Sequence, residues 1–270
     1  MKKFIQTFTL FLSISKASIG QFIGAGFTGG MSHFIGDVGH YGIHVPQGYN
    51  IGASAIYGID PHYSIELSGI YGVVSNDDAL SSIQWRQNRN LSFRSFVYEA
   101  SGRVNFNFFP VTLKKGENHS PFIFLGYGIF AFYPEAWYQN RWVKLRPLGT
   151  EGQGTLLSNT GIYPETSSFI LFGFGYTIAL SPIVNVYLET GFRRTATDYL
   201  DDVSGFYVDA GELAEIRGPV AAELSNRSII RYDTTDRLRG NPNNNDWYVF
   251  SNFKIIFKLS SSREKCTRGW

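Results

Sequence analysis

Cysteine is nearly absent from this chain: among 270 residues the only one is Cys266, in the stretch "SSSREKCTRGW". A lone thiol excludes a disulfide framework within one chain and any zinc site built on cysteines, so Cys266 reads as an incidental tail residue. Charge is scarce too. Asp, Glu, Lys and Arg make up 17% of the sequence, against roughly 25% in an average soluble domain. Long apolar runs are missing: none approaches the roughly 20 residues that a membrane-spanning helix requires. A mean hydropathy of −0.11 is likewise too polar for a helical membrane bundle.

What is abundant points elsewhere. Aromatics reach 16%, with 23 Phe and 16 Tyr, and there are 29 Gly. Few charges with many glycines and aromatics is the composition of a membrane β-barrel, whose aromatics girdle both interfaces. The first twenty residues, "MKKFIQTFTLFLSISKASIG", have a basic start, an apolar middle and small residues at Ser18 and Gly20. They predict a secretory signal peptide (1–20) cleaved before Gln21, ahead of a barrel over 21–258 and a tail over 259–270. Losing Lys2, Lys3 and Lys16 with the signal moves the formal net charge from +2 to −1. The basic balance of the precursor therefore gives no reason to expect nucleic-acid binding.

Beyond residue 21, runs of apolar/polar alternation are separated by turns or long polar loops, and period-two alternation places one side-chain set on each face of a sheet. "YSIELSGIYG" from Tyr63, "YEASGRVNFNF" from Tyr98, "VNVYLETGFR" from Val184 and "WYVFSNFKIIF" from Trp247 are the clearest strands. Segments 22–33, 48–58, 121–133 and 168–180 are weaker ones, the last two apolar on both faces. Short connections near 60, 110–120 and 182 alternate with long ones at 34–47, 74–90, 134–167 and 195–246. That asymmetry is expected of periplasmic turns and external loops. The predicted fold is all-β: a small antiparallel transmembrane barrel of about eight strands, with long structured extracellular loops. Its place is the cell outer membrane, in contact with lipid.

The face opposite the apolar one carries Glu66, Glu99 and Glu189 with Arg103, Arg193 and Lys254. A barrel of about eight strands has room inside only for side chains, and buried charges there must pair. A plugged lumen holding these six residues as a network is expected. An ion path through the same charges is the alternative.

The most motif-like stretch is "LGTEGQG", with Gly149, Gly152 and Gly154 around Glu151. The spacing reverses the dinucleotide fingerprint and no Lys-Ser/Thr follows, so no nucleotide is expected. These glycines instead fit positive backbone angles in an external loop. That loop would pack against "TDYLDDV", with Asp198, Asp201 and Asp202, and against "RGNPNNND", with Arg239, Asn241 and Asp246. Glu151 would pair with Arg194 or Arg239. The three aspartates could serve a hard cation, but their spacing is not that of an EF-hand and loop structure is the plainer reading. His33, His40 and His44 lack both the further ligands of a zinc site and a serine partner for esterase chemistry. A short helix is expected to begin near Pro219.

Taken in order, "FIGAGFTGG" (22–30), "NLSFRS" (90–95), "PLGTEGQG" (147–154), "RTATDYLDDVSG" (194–205), "IRGPVAAEL" (216–224) and "RGNPNNNDWYVF" (239–250) resemble the PorG family of outer-membrane proteins of the type IX secretion system. The resemblance covers about 21–258. It implies a non-enzymatic scaffold for protein secretion in a Gram-negative envelope, anchoring a periplasmic ring of PorK and PorN. No cofactor, metal or catalytic residue comes with it. The alternatives are an outer-membrane binding protein whose external loops hold a glycan, metal or surface protein, and a barrel enzyme acting on lipid.

Overall fold

A computed structural model describes residues 22–40, 45–113, 116–230 and 234–261. Nine antiparallel strands run β1 Phe22–Ile35, β2 Gly48–Gly58, β3 Tyr63–Asp77, β4 Ser92–Asn107, β5 His119–Tyr138, β6 Arg141–Lys144, β7 Thr166–Ser181, β8 Val184–Thr195 and β9 Trp247–Ser261. Each strand pairs with its neighbour in sequence except across β6, which pairs only with the tip of β5. Two further pairings, β1 with β9 and β5 with β7, complete the ring, and eight strands form a closed cylinder without a free edge. Closure satisfies every ladder within the wall, which is what a bilayer demands of a β-structure.

Alternation sets the two surfaces. Ile51, Leu67, Leu125, Ile129, Leu188 and Phe253 point outward and are exposed, forming the apolar middle of the wall. Aromatic bands bound it on both sides. Tyr49, Tyr71, Tyr98 and Tyr133 run in contact across β2–β5 at one level, with Phe172, Phe192 and Trp247 on β7–β9. Tyr63, Phe106 and Phe108 lie toward the opposite end, as does the stacked pair of His119 and Tyr176. Two girdles around an apolar belt are the exterior of a barrel that spans a membrane.

The two apolar segments without a legible orientation are resolved by register. In β5 the rings of Phe122, Phe124, Phe130 and Phe132 point inward and are buried, while Ile123, Leu125, Tyr127 and Ile129 face out. In β7 Gly173 and Gly175 lie beneath the inward phenyl rings: a Cβ on Gly173 would meet Phe124 Cζ at 2.4 Å, and one on Gly175 would meet Phe122 Cε1 at 2.7 Å. Glycine here makes room for the ring of its register partner on the neighbouring strand.

Several boundaries differ from the sequence reading. At the long-loop end the strands run further: β3 reaches Asp77, β4 begins at Ser92, and β5 continues to Tyr138 and turns back into β6. The two-residue turn is Gln139–Asn140, both with positive φ, the backbone that a tight hairpin requires. Alternation fades there because a cap of loops covers the wall; Val73, Val74 and Phe93 are all buried. At the other end β9 runs to Ser261, past the boundary placed at 258. The signal segment 1–20 and residues 262–270, with Cys266, lie outside the described residues. The cap also holds three short helices: α1 Gln84–Arg89, α2 Ala210–Arg217 and α3 Pro219–Ser225. The last begins at Pro219 as expected, whereas the first two fall inside segments read as loop.

Candidate functional site

The interior is solid. Arg103 on β4 holds Glu66 of β3 and Glu189 of β8 at once, each at 2.6 Å. Lys254 on β9 contacts both carboxylates from the other side, at 3.1 Å to Glu189. Two acids and two bases thus make a neutral cluster, with Asn105 reaching Glu66 at 3.4 Å. Toward the cap, Arg193 grips Glu99 at 2.9 and 3.1 Å and Tyr248 donates to the same carboxylate at 2.8 Å. All six charged residues read as lumen-facing are buried in these two clusters. The guanidiniums also lie over rings, Arg103 at 4.1 Å from Phe124 and Arg193 at 4.4 Å from Phe250. Packed rings and paired ions leave no open column through this cross-section, and pairing offsets the desolvation that single ions would suffer.

Above the barrel, segments distant in sequence interlock. Glu151 accepts the amides of Ser204 and Gly205 at 2.9 and 3.0 Å and the Arg239 guanidinium at 3.0 Å. Arg239 also donates to the carbonyls of Asp202 and Ser225. Asp202, in the left-handed region at φ 66°, turns its carboxylate to Thr150 and Tyr163, 2.5 Å from each. Gly149, Gly152 and Gly154 all have positive φ, at 57°, 72° and 70°. The glycine-rich stretch therefore serves close packing between loops. Arg194, the other partner considered for Glu151, lies on the outer rim of β8, exposed, with its guanidinium 5.9 Å from the Trp247 ring.

The three aspartates do not gather around one point. Asp202 belongs to the Arg239 side of the cap. Asp198 and Asp201 face Asp37 and Asp246, a group held by backbone amides: Val38 and Val203 to Asp201, Leu200 to Asp246, Asn241 to Asp37. Asn241 thus joins the β1–β2 connection and not the glycine-rich loop. Among the described residues no three His, Cys, Asp or Glu side chains are arranged to hold a metal ion. His33 sits on β1 and His40 in the following connection, and His44 lies outside the described residues.

Burial without enough counter-charge sets the protonation of this region. Desolvation lifts Asp198 to about 8 and Asp202 to about 6, the latter against the Arg239 charge. It also raises Asp201 and Asp246 well above the usual carboxylate range, with the neighbouring carboxylates adding to the effect. The sequence reading missed the helix that balances part of the charge. Arg89 of α1 binds Asp78 at 2.7 Å and reaches the backbone carbonyls of Asp37 and Arg239 at 2.6 and 2.5 Å. The two arginines that follow Trp85 in "QWRQNR", Arg86 and Arg89, were its only trace in the sequence.

A family model described as a domain of unknown function, DUF6089, matches residues 2–150. The chain belongs to this family. The DUF6089 match takes in the first four barrel strands, β5 and β6, and ends in the glycine-rich stretch. No curated protein matches the sequence. Solved structures similar to the chain include Neisserial surface protein A, at 10% identity over 89% of this chain and 99% of that one, with a TM-score of 0.42. The N-terminal β-barrel domain of Pseudomonas aeruginosa OprF matches at 9% identity, over 89% and 99%, with a TM-score of 0.36. Ail, the attachment invasion locus protein of Yersinia pestis, solved with the heparin analogue sucrose octasulfate, matches at 10% identity over 88% and 97%, with a TM-score of 0.37.

Proposed function

We propose that this protein is a non-enzymatic scaffold of the outer membrane that serves type IX protein export, anchoring a periplasmic ring of PorK and PorN type. The observation that carries this reading is the double seal: neutral ion clusters fill the lumen, and one interlocked cap closes the mouth. A sealed cylinder is a poor pore, which leaves its ends to do the work. Five of the six motifs that resemble the PorG family lie in or border that cap, so the resemblance falls on the part of the molecule with the most specific packing. We assign the ring contacts to the opposite end, at 59–62 and 110–120, together with the C-terminal tail. Phe108, Phe109 and Leu113 are exposed there. Affinity capture through this chain should recover the ring lipoprotein, and replacing residues 110–120 should weaken recovery. Recovery indifferent to every change at that end would overturn the assignment.

A second reading is favoured by one feature of the cap. Ile229 and Ile230 are 69% and 66% exposed and are pinned beside Asn88 of α1, which also presents Trp85. Exposed apolar groups fixed on a rigid surface suit a protein partner outside the cell. Under this reading, polar substitutions at Ile229 and Ile230 abolish function while ring recovery stays intact.

A further inference from the structure

On the outer wall, where β8 and β9 pass from the aromatic band into the cap, lies a recess of about 460 Å³. Its lining is apolar at Ile35, Phe192 and Trp247 and polar at Arg194 and Asn243–Asn245. Register places it at the edge of the lipid-facing surface. Arg194 pairs with Trp247 across one ladder and with the exposed Ile170 across the other. Phe172 and Phe192 stack just below, 5.5 Å apart.

The charge here is unbalanced. Arg194 has no carboxylate within ion-pair distance among the described residues, and the amide side chains of Asn243 and Asn244 have no hydrogen-bond partner there. Arg94, an outward arginine at the rim on β4, makes the contrast: Glu135 neutralises it at 2.9 Å and it lies 3.7 Å from the Trp142 ring. Asp37, which also lines the recess, has its carboxylate engaged by the Asn241 amide at 2.7 Å and by the charges of Arg89 and Arg86. A cation at the hydrocarbon edge is costly unless an anion meets it. The anions available at that height are lipid headgroups, to which a guanidinium presents a two-pronged donor. Tryptophan at the same level is the usual neighbour of headgroups.

We propose that this recess binds the phosphate-bearing headgroup of a lipid in the surrounding leaflet. Arg194 and the amides of Asn243 and Asn244 hold the phosphate, while Trp247, Phe192 and Ile35 receive the first carbons of the chains. The inference rests on the barrel spanning a membrane and not on the export role, so failure of ring recovery leaves it untouched.

The test uses the full chain in phosphatidylcholine nanodiscs doped with phosphatidic acid, followed by release and native mass spectrometry. The expected result is phosphatidic acid retained in preference to phosphatidylcholine, with retention about ten-fold lower in Arg194→Gln, a loss near 1.4 kcal/mol. Arg141→Ala, which removes an exposed cation on the β5–β6 hairpin, should retain lipid like the parent. The heat-dependent gel shift of a folded barrel verifies each variant. Undiminished retention by folded Arg194→Gln would overturn the proposal, as would equal retention of phosphatidylcholine. Displacement of the lipid by millimolar inorganic phosphate would also overturn it, by making the recess a site for free anions.

Discussion

The guanidinium of Arg239 lies 3.0 Å from the carboxylate of Glu151, 88 residues earlier in the chain, and both side chains are almost wholly buried. This pair joins the glycine-rich loop to the segment that leads into β9. Removing one partner strands the other in a low-dielectric site, which costs about 3–5 kcal/mol. Arg239→Ala should therefore release the cap: limited proteolysis should cut within 195–246 while the barrel keeps its heat-dependent gel mobility. A cap as resistant as the parent's would show that the pair contributes little.

A second expectation concerns the lumen. Arg103→Ala leaves Glu66 and Glu189 with Lys254 as their only cation. The barrel should lose about 3–5 kcal/mol, read as a lower temperature for the gel shift. Arg103→Lys should recover part of this, because it restores the charge without the fork that serves two carboxylates. Equal losses in both variants would assign the effect to packing on Phe124 and not to charge.

Protonation supplies a third. A carboxylate whose folded pKa is raised binds more protons when folded than when unfolded, so its contribution is fully present below about 4 and declines as pH rises through the folded value. For Asp198 that window extends to about 8. Amide protection around 196–205 should be weaker at pH 9 than at pH 6, and Asp198→Asn should flatten the difference. Stronger protection at pH 9 would reverse the sign of the argument.

Gly152 tests the loop itself. Its φ is 72°, and an added Cβ would lie 3.0 Å from Leu157 Cβ and 3.1 Å from Val208 Cγ1. Gly152→Ala should cost the cap roughly 1–2 kcal/mol, visible as faster proteolysis with an unchanged barrel. Gly161→Ala, where an added Cβ meets nothing within 4 Å, should be neutral by the same measure.

The barrel was legible because a wall with lipid on one side and charge on the other must alternate. That rule alone groups Glu66, Arg103, Glu189 and Lys254 as a set. It failed where both faces are apolar: the orientation of 121–133 and 168–180 depends on Gly173 and Gly175 sitting beneath Phe124 and Phe122, a relationship between strands. The cap was legible in its residue types but only partly in its pairings. Asp37 and Asn241 meet across 204 residues, and no local spacing records such a contact. Arg89 was missed for the same reason, since its partners come from three separate segments. Asp198, Asp201 and Asp202 looked like one group because they are close in sequence; the left-handed turn at Asp202 sends its carboxylate to the opposite side of the cap.

The distribution of the six lumen charges bears on how the cylinder shuts. Strands β1–β4 bring Glu66, Arg103 and Glu99, an excess of one negative charge, while β5–β9 bring Glu189, Lys254 and Arg193, an excess of one positive. Each half thus carries one uncompensated charge, and the remainder on one attracts the remainder on the other. The ions that lock the interior thereby favour the closed cylinder over its two halves held apart.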